Sequence, residues 1–204
     1  MHRPIAFLVA LTTSCLPAEA NPWPREKGTL FGTLSQDAAH YTSLYLDLGI
    51  TARTSLTLEA GNDGAQRKAL LFLRHALPLK GKTAALEIGA GLEGAQPVFS
   101  AGFSIGRGVA FGKRSGWISA DARGFFDISG RIERATLGLT LGQHHGSRVM
   151  SIAQINSEAS ITGINAVLAT SLVWEFKPGF HTELGAEIGT SAAQKAKLGI
   201  WFSF

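Results

Sequence analysis

The sequence predicts an all-β chain: a closed, antiparallel, up-and-down transmembrane β-barrel of about 12 strands. Three observations lead there. Apolar residues recur with period two along most of the 204 residues. After an N-terminal leader, no helical pattern of about ten residues or more interrupts that period. The apolar faces are continuous, whereas the polar faces consist of Gly, Ser and Thr with sparse single charges. Successive side chains of a strand point to opposite faces, so this pattern describes a sheet with one greasy side and one polar side.

Composition removes the competing classes. Hydrophobic residues make up 45% of the chain and charged residues 17%, which is too apolar for a disordered polymer. The 24 glycines follow no collagen period. The net charge of +4 is mild and the bases are scattered, so no nucleic-acid patch forms. The single cysteine, Cys15, excludes a disulfide framework and a Cys-rich metal centre. The length suits one domain.

The elements follow in chain order. Met1-His2-Arg3 is a short basic start, residues 5–16 are mostly apolar, and Ala18-Glu19-Ala20 offers small residues where a signal peptidase reads. Residues 1–20 are therefore expected to be a cleaved secretory signal, leaving residues 21–204 as the barrel domain. Pro4, Pro17 and the following Asn21-Pro22-Trp23-Pro24 exclude a buried N-terminal helix. The residues before Cys15 lack the large aliphatic side chain that a lipidation site prefers.

A weak first strand is expected over residues 28–35. Leu44, Leu46 and Leu48 then oppose Tyr45, Asp47 and Gly49, and Leu56, Leu58 and Ala60 oppose Ser55, Thr57 and Glu59. Residues 68–77 carry Leu and Phe on both faces and leave the register open. Leu86, Ile88 and Ala90 oppose Glu87, Gly89 and Gly91, and Phe99, Ala101, Phe103 and Ile105 oppose Ser100, Gly102 and Ser104. Ile118, Ala120 and Ala122 oppose Ser119, Asp121 and Arg123, and Leu137, Leu139 and Leu141 oppose Thr136, Gly138 and Thr140. Residues 147–156 are again ambiguous. Ile164 to Phe176 line every second position of a long strand, and Lys177-Pro178-Gly179 signals a tight turn. Leu184, Ala186 and Ile188 oppose Glu183, Gly185 and Glu187. Finally Ala196, Leu198, Ile200, Phe202 and Phe204 oppose Lys195, Lys197, Gly199, Trp201 and Ser203.

The orientation of these faces decides what the barrel is. A soluble barrel buries its apolar faces and shows water many Lys and Glu. Here the polar faces are too small and too sparsely charged for that. Apolar faces about ten residues long match a tilted membrane-crossing strand, and closure satisfies every backbone polar group in lipid. An even strand number returns both termini to one side.

On this register the inward charges nearly balance. The acids are Asp47, Glu59, Glu87, Glu93, Asp121, Glu175, Glu183 and Glu187; the bases are Lys68, Arg74, Arg123, Arg134, Arg148, Lys195 and Lys197. Cross-strand pairing is expected between Arg74 and Glu87, and between Glu187 and Lys197. Such pairs either stiffen the barrel or line a narrow selective passage. Trp117 and Trp201 fall on the inward face as lumen plugs, while Trp174 and Tyr41 are candidates for the interfacial belts. The expected outer loops, near residues 36–41, 62–66, 93–96, 127–130, 157–163 and 190–194, are all short, which argues against a receptor for large ligands.

The alternation Leu198, Ile200, Phe202, Phe204, ending on a terminal aromatic, resembles the C-terminal strand signature of bacterial outer-membrane barrels. Residues 49–58 resemble the periplasmic hairpin turn of that class. The resemblance implies the outer membrane of a Gram-negative bacterium, contact with outer-membrane lipid, and the barrel-assembly machinery as the reader of Phe204. It implies no substrate.

Motifs for chemistry are few. Gly89-Ala90-Gly91-Leu92-Glu93-Gly94 matches a dinucleotide-binding fingerprint, but on and after a strand that leads into another strand. His145 and Ser147 resemble the His-x-Ser pair of outer-membrane acyl hydrolases, with Asn156 or Glu158 to orient the histidine. Against it, Arg148 replaces the Asn that often follows the serine, and the pair falls in a turn at the periplasmic end. Asn156 and Glu158 fall about 30 Å away at about 3.3 Å per residue. His144 and His145 lack further clustered ligands for a metal. The expectation is a non-enzymatic, cofactor-free barrel acting as a narrow small-solute channel or structural pore. The alternatives are a lipid acyl hydrolase and a soluble periplasmic barrel for a small apolar ligand.

Overall fold

The computed structural model describes residues 23–190 and 194–204. The expected signal sequence, its cleavage point and most of the last expected outer loop lie outside the described residues. Twelve strands follow one another: β1 Leu30–Asp37, β2 Thr42–Gly49, β3 Thr54–Asn62, β4 Arg67–Leu79, β5 Lys82–Glu93 and β6 Gln96–Phe111. The second half comprises β7 Arg114–Phe126, β8 Ile132–His144, β9 Val149–Ser160, β10 Gly163–Lys177, β11 Phe180–Gly189 and β12 Lys195–Ser203. Each strand pairs antiparallel with its chain neighbours, and β1 pairs with β12, so the sheet closes into a barrel. This is the predicted up-and-down fold with the predicted strand number.

The period-two pattern resolves as expected. Leu86, Ile88 and Leu92 of β5 are 53%, 64% and 51% exposed on the outside, while Glu87 between them is buried. Leu184, Ile188, Leu198 and Ile200 likewise form the outer surface of β11 and β12. A water-soluble barrel would hold these side chains inside; the soluble reading is thereby overturned. Where sequence left the register open, the structure fixes it. β4 turns Leu71, Leu73 and Leu77 outward and Leu70, Phe72, Arg74 and Ala76 inward. β9 turns Met150 and Ile152 inward and Ile155 outward. The first strand starts two residues later than expected and reaches Asp37. β9 continues to Ser160, so the expected loop over residues 157–163 shrinks to a turn at 161–162.

Short turns join the strands. Gly81 and Gly179 adopt φ of 72° and 78°, the left-handed region that a tight turn needs and other residues resist. Between β7 and β8, the Asp127 carboxylate folds the chain over itself. Its Oδ1 accepts hydrogen bonds from the Ser129 hydroxyl at 2.6 Å, the Ser129 amide at 2.8 Å and the Arg131 amide at 2.9 Å. Trp174 is 54% exposed on the outer surface. Tyr41 departs from its expected place in an outer belt. A Cβ added at Gly61, on the inner side of β3, would meet its hydroxyl at 1.8 Å.

Two outcomes follow. Ile88→Arg, at mid-depth on the outer face, is expected to cost about 2–4 kcal/mol of folding into lipid vesicles, against about 0–1 kcal/mol for Ile128→Arg in a turn. Urea titration of both variants in the same vesicles checks the difference. The hydrogen bonds from Ser129, chiefly its hydroxyl, and from the Arg131 amide hold the Asp127 carboxyl down at about 2. A depressed folded value contributes stability above the ordinary carboxylate range, and that contribution is lost as pH falls through about 2. A carboxyl NMR titration is expected to find this midpoint and to find it raised in Ser129→Ala.

Candidate functional site

The barrel interior collects the chain's polar chemistry, in two storeys. The end where β1 begins and β12 finishes is called the terminal end here, and the opposite end the far end.

The terminal storey is apolar. Phe31, Trp117, Met150, Ile152, Val173 and Trp201 form a buried cluster against which Trp23 and Tyr45 pack. Phe31 stands on β1 and Trp117 on β7, six strands away in a ring of twelve, so the cluster bridges opposite walls. The Phe31 and Trp201 rings meet edge-on at 5.7 Å. Trp117 lies against Gly142, where an added Cβ would meet the indole at 2.1 Å. The residues before β1 close this end further. Arg25 donates from Nε to Asp47 Oδ2 at 3.2 Å and rests over the Phe31 ring at 4.3 Å.

Above this cluster lies an ion-pair network. Arg74, 2% exposed, donates from Nη2 to Glu87 Oε2 at 2.8 Å and stands 3.7 Å from Asp47. Its Nη1 also donates to the Tyr45 hydroxyl at 3.3 Å. Arg123 reaches Glu87 at 2.8 Å and, four strands away, Glu59 at 3.0 Å. The same guanidinium lies 4.3 Å over the Phe72 ring. Lys68 meets Glu59 at 3.9 Å. Towards the far end Arg134 pairs with Glu93 and stands 3.4 Å from Glu158, while stacking 3.8 Å over Phe125. Lys195 pairs with Asp37 at 3.0 Å. Lys197 pairs with Glu183 at 2.8 Å, whose carboxylate also accepts from Ser171 at 2.6 Å and from the Trp201 indole at 2.9 Å. Burial makes such pairs interdependent, because either partner alone would be an uncompensated charge.

Sequence reasoning placed most of these residues inside and erred on particulars. Arg74 and Glu87 pair as expected. Glu187 does not meet Lys197. It stands opposite Lys195, while Lys197 faces Gly185, whose lack of a side chain lets the ammonium reach across to Glu183. Arg148 is exposed in the turn between β8 and β9 rather than inside. Arg25, Asp37 and Glu158 were missed, because each lies where an end of a strand or a turn was expected. The interior glycines make room for neighbouring side chains. Phe72 fills the room beside Gly89, and Asp121 fills that beside Gly138, where added Cβ atoms would meet them at 2.2 and 2.5 Å.

The His-x-Ser reading fails on geometry. His145 does not face Ser147, which is exposed in the turn. Its Nε2 contacts Ser151 Oγ at 2.7 Å and its Nδ1 contacts Arg114 Nη1 at 2.9 Å. A guanidinium can only donate, so Nδ1 is the acceptor and the ring proton is on Nε2, pointing at the serine. That tautomer cannot take a proton from Ser151. Asn156 lies five residues beyond Ser151 on β9, opposite Gly138. No group of three metal-ligating side chains occurs among the described residues.

At the level of sequence, no family model and no curated protein matches the chain. Its fold matches solved porins. The KdgM porin, in complex with disordered oligogalacturonate, superposes with a TM-score of 0.70 at 7% identity, over 86% of this chain and 99% of that one. The NanC porin gives 0.66 at 10% identity, over 85% and 98%. The outer membrane protein Omp33 of Acinetobacter baumannii gives 0.60 at 6% identity, over 90% and 100%. At such identities the shared property is the closed barrel architecture itself.

The network predicts its own response. Arg74→Met takes from Glu87 and Asp47 their shared cation, leaving them only Arg123 and Arg25, and is expected to cost about 3 kcal/mol. Arg74→Met combined with Glu87→Gln is expected to recover part of that loss. A double-mutant cycle by urea titration in vesicles checks both.

Proposed function

We propose that the protein is an outer-membrane barrel passing small solutes through a narrow lumen that side chains can close. The observation that carries this reading is the division of the interior. Its far half carries a polar cavity lined by Asp121, Thr136, Gly138, Asn156 and Glu158, beside a small apolar patch of Leu70, Phe72, Val98 and Phe125. Its terminal half is blocked by the aromatic cluster of side chains and the short segment before β1, not by a folded domain. A purely structural barrel has no use for a polar vestibule that stops at a layer of aromatic side chains. The porins that share the architecture support the same reading, one of them holding an oligosaccharide.

Trp117 is the natural moving part. Its side chain is 1% exposed, yet its Nε1 hydrogen finds no acceptor among the described residues. A buried unsatisfied donor costs about 1–3 kcal/mol, which lowers the cost of swinging the ring away. In this setting residues 1–20 act as the cleaved export signal. Outer-membrane lipid covers the leucine belt, and the barrel-assembly machinery reads the strand ending in Phe204. The terminal end then faces the periplasm, and the short turns of the far end face outward.

Planar-bilayer recording tests the proposal. The wild-type barrel is expected to give small, flickering steps, and Trp117→Ala larger and steadier ones. Trp→Ala in a core costs about 3–5 kcal/mol, so folding of the variant is checked first by circular dichroism in detergent. Silence from both folded proteins would leave a structural barrel and end the channel reading.

A further inference from the structure

The inward charges do not cancel, and the imbalance has one sign. Among the described residues, seven bases belong to the interior: Arg25, Lys68, Arg74, Arg123, Arg134, Lys195 and Lys197. Each has a carboxylate within 3.9 Å. Ten acids face the interior, and the seven bases engage only seven of them: Asp37, Asp47, Glu59, Glu87, Glu93, Glu158 and Glu183. Asp121, Glu175 and Glu187 form no salt bridge with Arg or Lys among the described residues, although Arg123 acts on Asp121, Lys195 stands opposite Glu187 and His181 opposite Glu175, so the interior holds three more carboxylates than Arg and Lys side chains. They are spread along the axis rather than clustered. Glu187 stands near the far end of β11, Asp121 midway along β7, and Glu175 near the terminal end of β10.

Asp121 and Glu175 are held in place by their surroundings. Glu187 shares the inner face of β11 with Glu183 and Gly185. Asp121 packs its carboxylate over Gly138, a position where any side chain would collide with it, and lines the polar cavity of the far half. Glu175 accepts the Gly179 amide at 3.2 Å, which anchors the carboxylate without neutralising it. A solute on the axis therefore meets a surplus of three carboxylates spread along the lumen, while every inward Arg and Lys already has a carboxylate neighbour.

Resting on the channel reading, we propose that the passage selects cations over anions, with Asp121 and Glu187 as the residues that set the preference. The physics is Coulombic. One uncompensated charge about 8 Å from a small ion, even in a water-like medium, changes the relative occupancy of that ion by about twofold. A lumen walled by protein and lipid strengthens the effect, since field lines concentrate in the narrow aqueous path. The bases on the terminal turns, such as Arg53, Lys80, Lys113 and Arg148, are exposed. In physiological salt their influence fades over about 8 Å, so they act on the mouth rather than on the path.

The experiment is a reversal-potential measurement on the purified full chain in a planar bilayer under a potassium chloride gradient. The expected result is a potassium-to-chloride permeability ratio of about two or more in dilute salt, falling towards one as ionic strength nears about 1 M. Asp121→Asn combined with Glu187→Gln is expected to conduct with a ratio near one. Glu187→Gln alone, at the rim, should move the ratio part of the way. A wild-type ratio at or below one overturns the inference, as does a conducting double variant with the wild-type ratio. In both cases conduction itself survives, and with it the channel reading. Absence of current from the wild type and from folded Trp117→Ala would instead remove the channel and this inference with it.

Discussion

The closing ladder between β1 and β12 is the constraint on which everything else depends. Seven residue pairs make it, from Phe31 with Ser203 to Asp37 with Lys197. Leu30 and Phe204 add reciprocal amide-to-carbonyl bonds of 2.9 Å at its terminal end. A sheet left open here would present two rows of unpaired amides and carbonyls to hydrocarbon, at a cost of several kcal/mol for each group. Once the ladder is closed, the backbone is satisfied by itself and the side chains must divide by solvent. The leucines go to lipid, and the polar residues share a confined interior with whatever else faces that way.

Confinement shapes that interior. Twelve strands enclose too little room for seven long cations and ten carboxylates to stay hydrated independently, so they neutralise one another across the barrel. Arg123 shows how tightly the layers are joined. It bridges Glu59 and Glu87 and lies over the face of Phe72. Arg134 does the same between Glu93 and the Phe125 ring. The guanidinium suits this double task, since its plane stacks on an aromatic face while its edge donates to carboxylates. Aromatic and ionic residues are thus parts of one packing, and Leu70, Phe72, Val98 and Phe125 form a second apolar patch within it.

The fold was legible because period two is a direct signature of strands, and in β5, β11 and β12 only one face is apolar. Legibility failed where both faces are apolar. β4 carries Leu70 and Phe72 inward and Leu71 and Leu73 outward, so alternation alone could not orient it. The same holds for β9, with Met150 and Ile152 inside. Those strands build the interior apolar patches, so the signal was weakest where the lumen narrows. Parity alone assigns the charged residues of the well-patterned strands to a face, and says less about their partners. The parity of a residue fixes its face, but the partner of a long side chain depends on which small neighbour it can cross. Lys197 reaches Glu183 past Gly185, and nothing in a linear pattern encodes that path.

Closure of the path and its charge are built from different residues, and this separation matters for function. The seal consists of Phe31, Trp117, Trp201 and their neighbours at the terminal end. The surplus carboxylates Asp121 and Glu187 lie beyond it, towards the far end. Three links join the storeys, the first being Tyr45, which packs on the aromatic cluster and accepts from Arg74. Arg25 holds the segment before β1 to Asp47 and covers Phe31, and Asp47 in turn stands 3.7 Å from Arg74. The Trp201 indole donates to Glu183. Any movement that lifts Arg25 out of the terminal mouth therefore withdraws one cation from Asp47 and uncovers the Phe31 ring in the same step. Arg25 thus joins the two storeys mechanically, tying the segment before β1 both to Asp47 and to the face of Phe31.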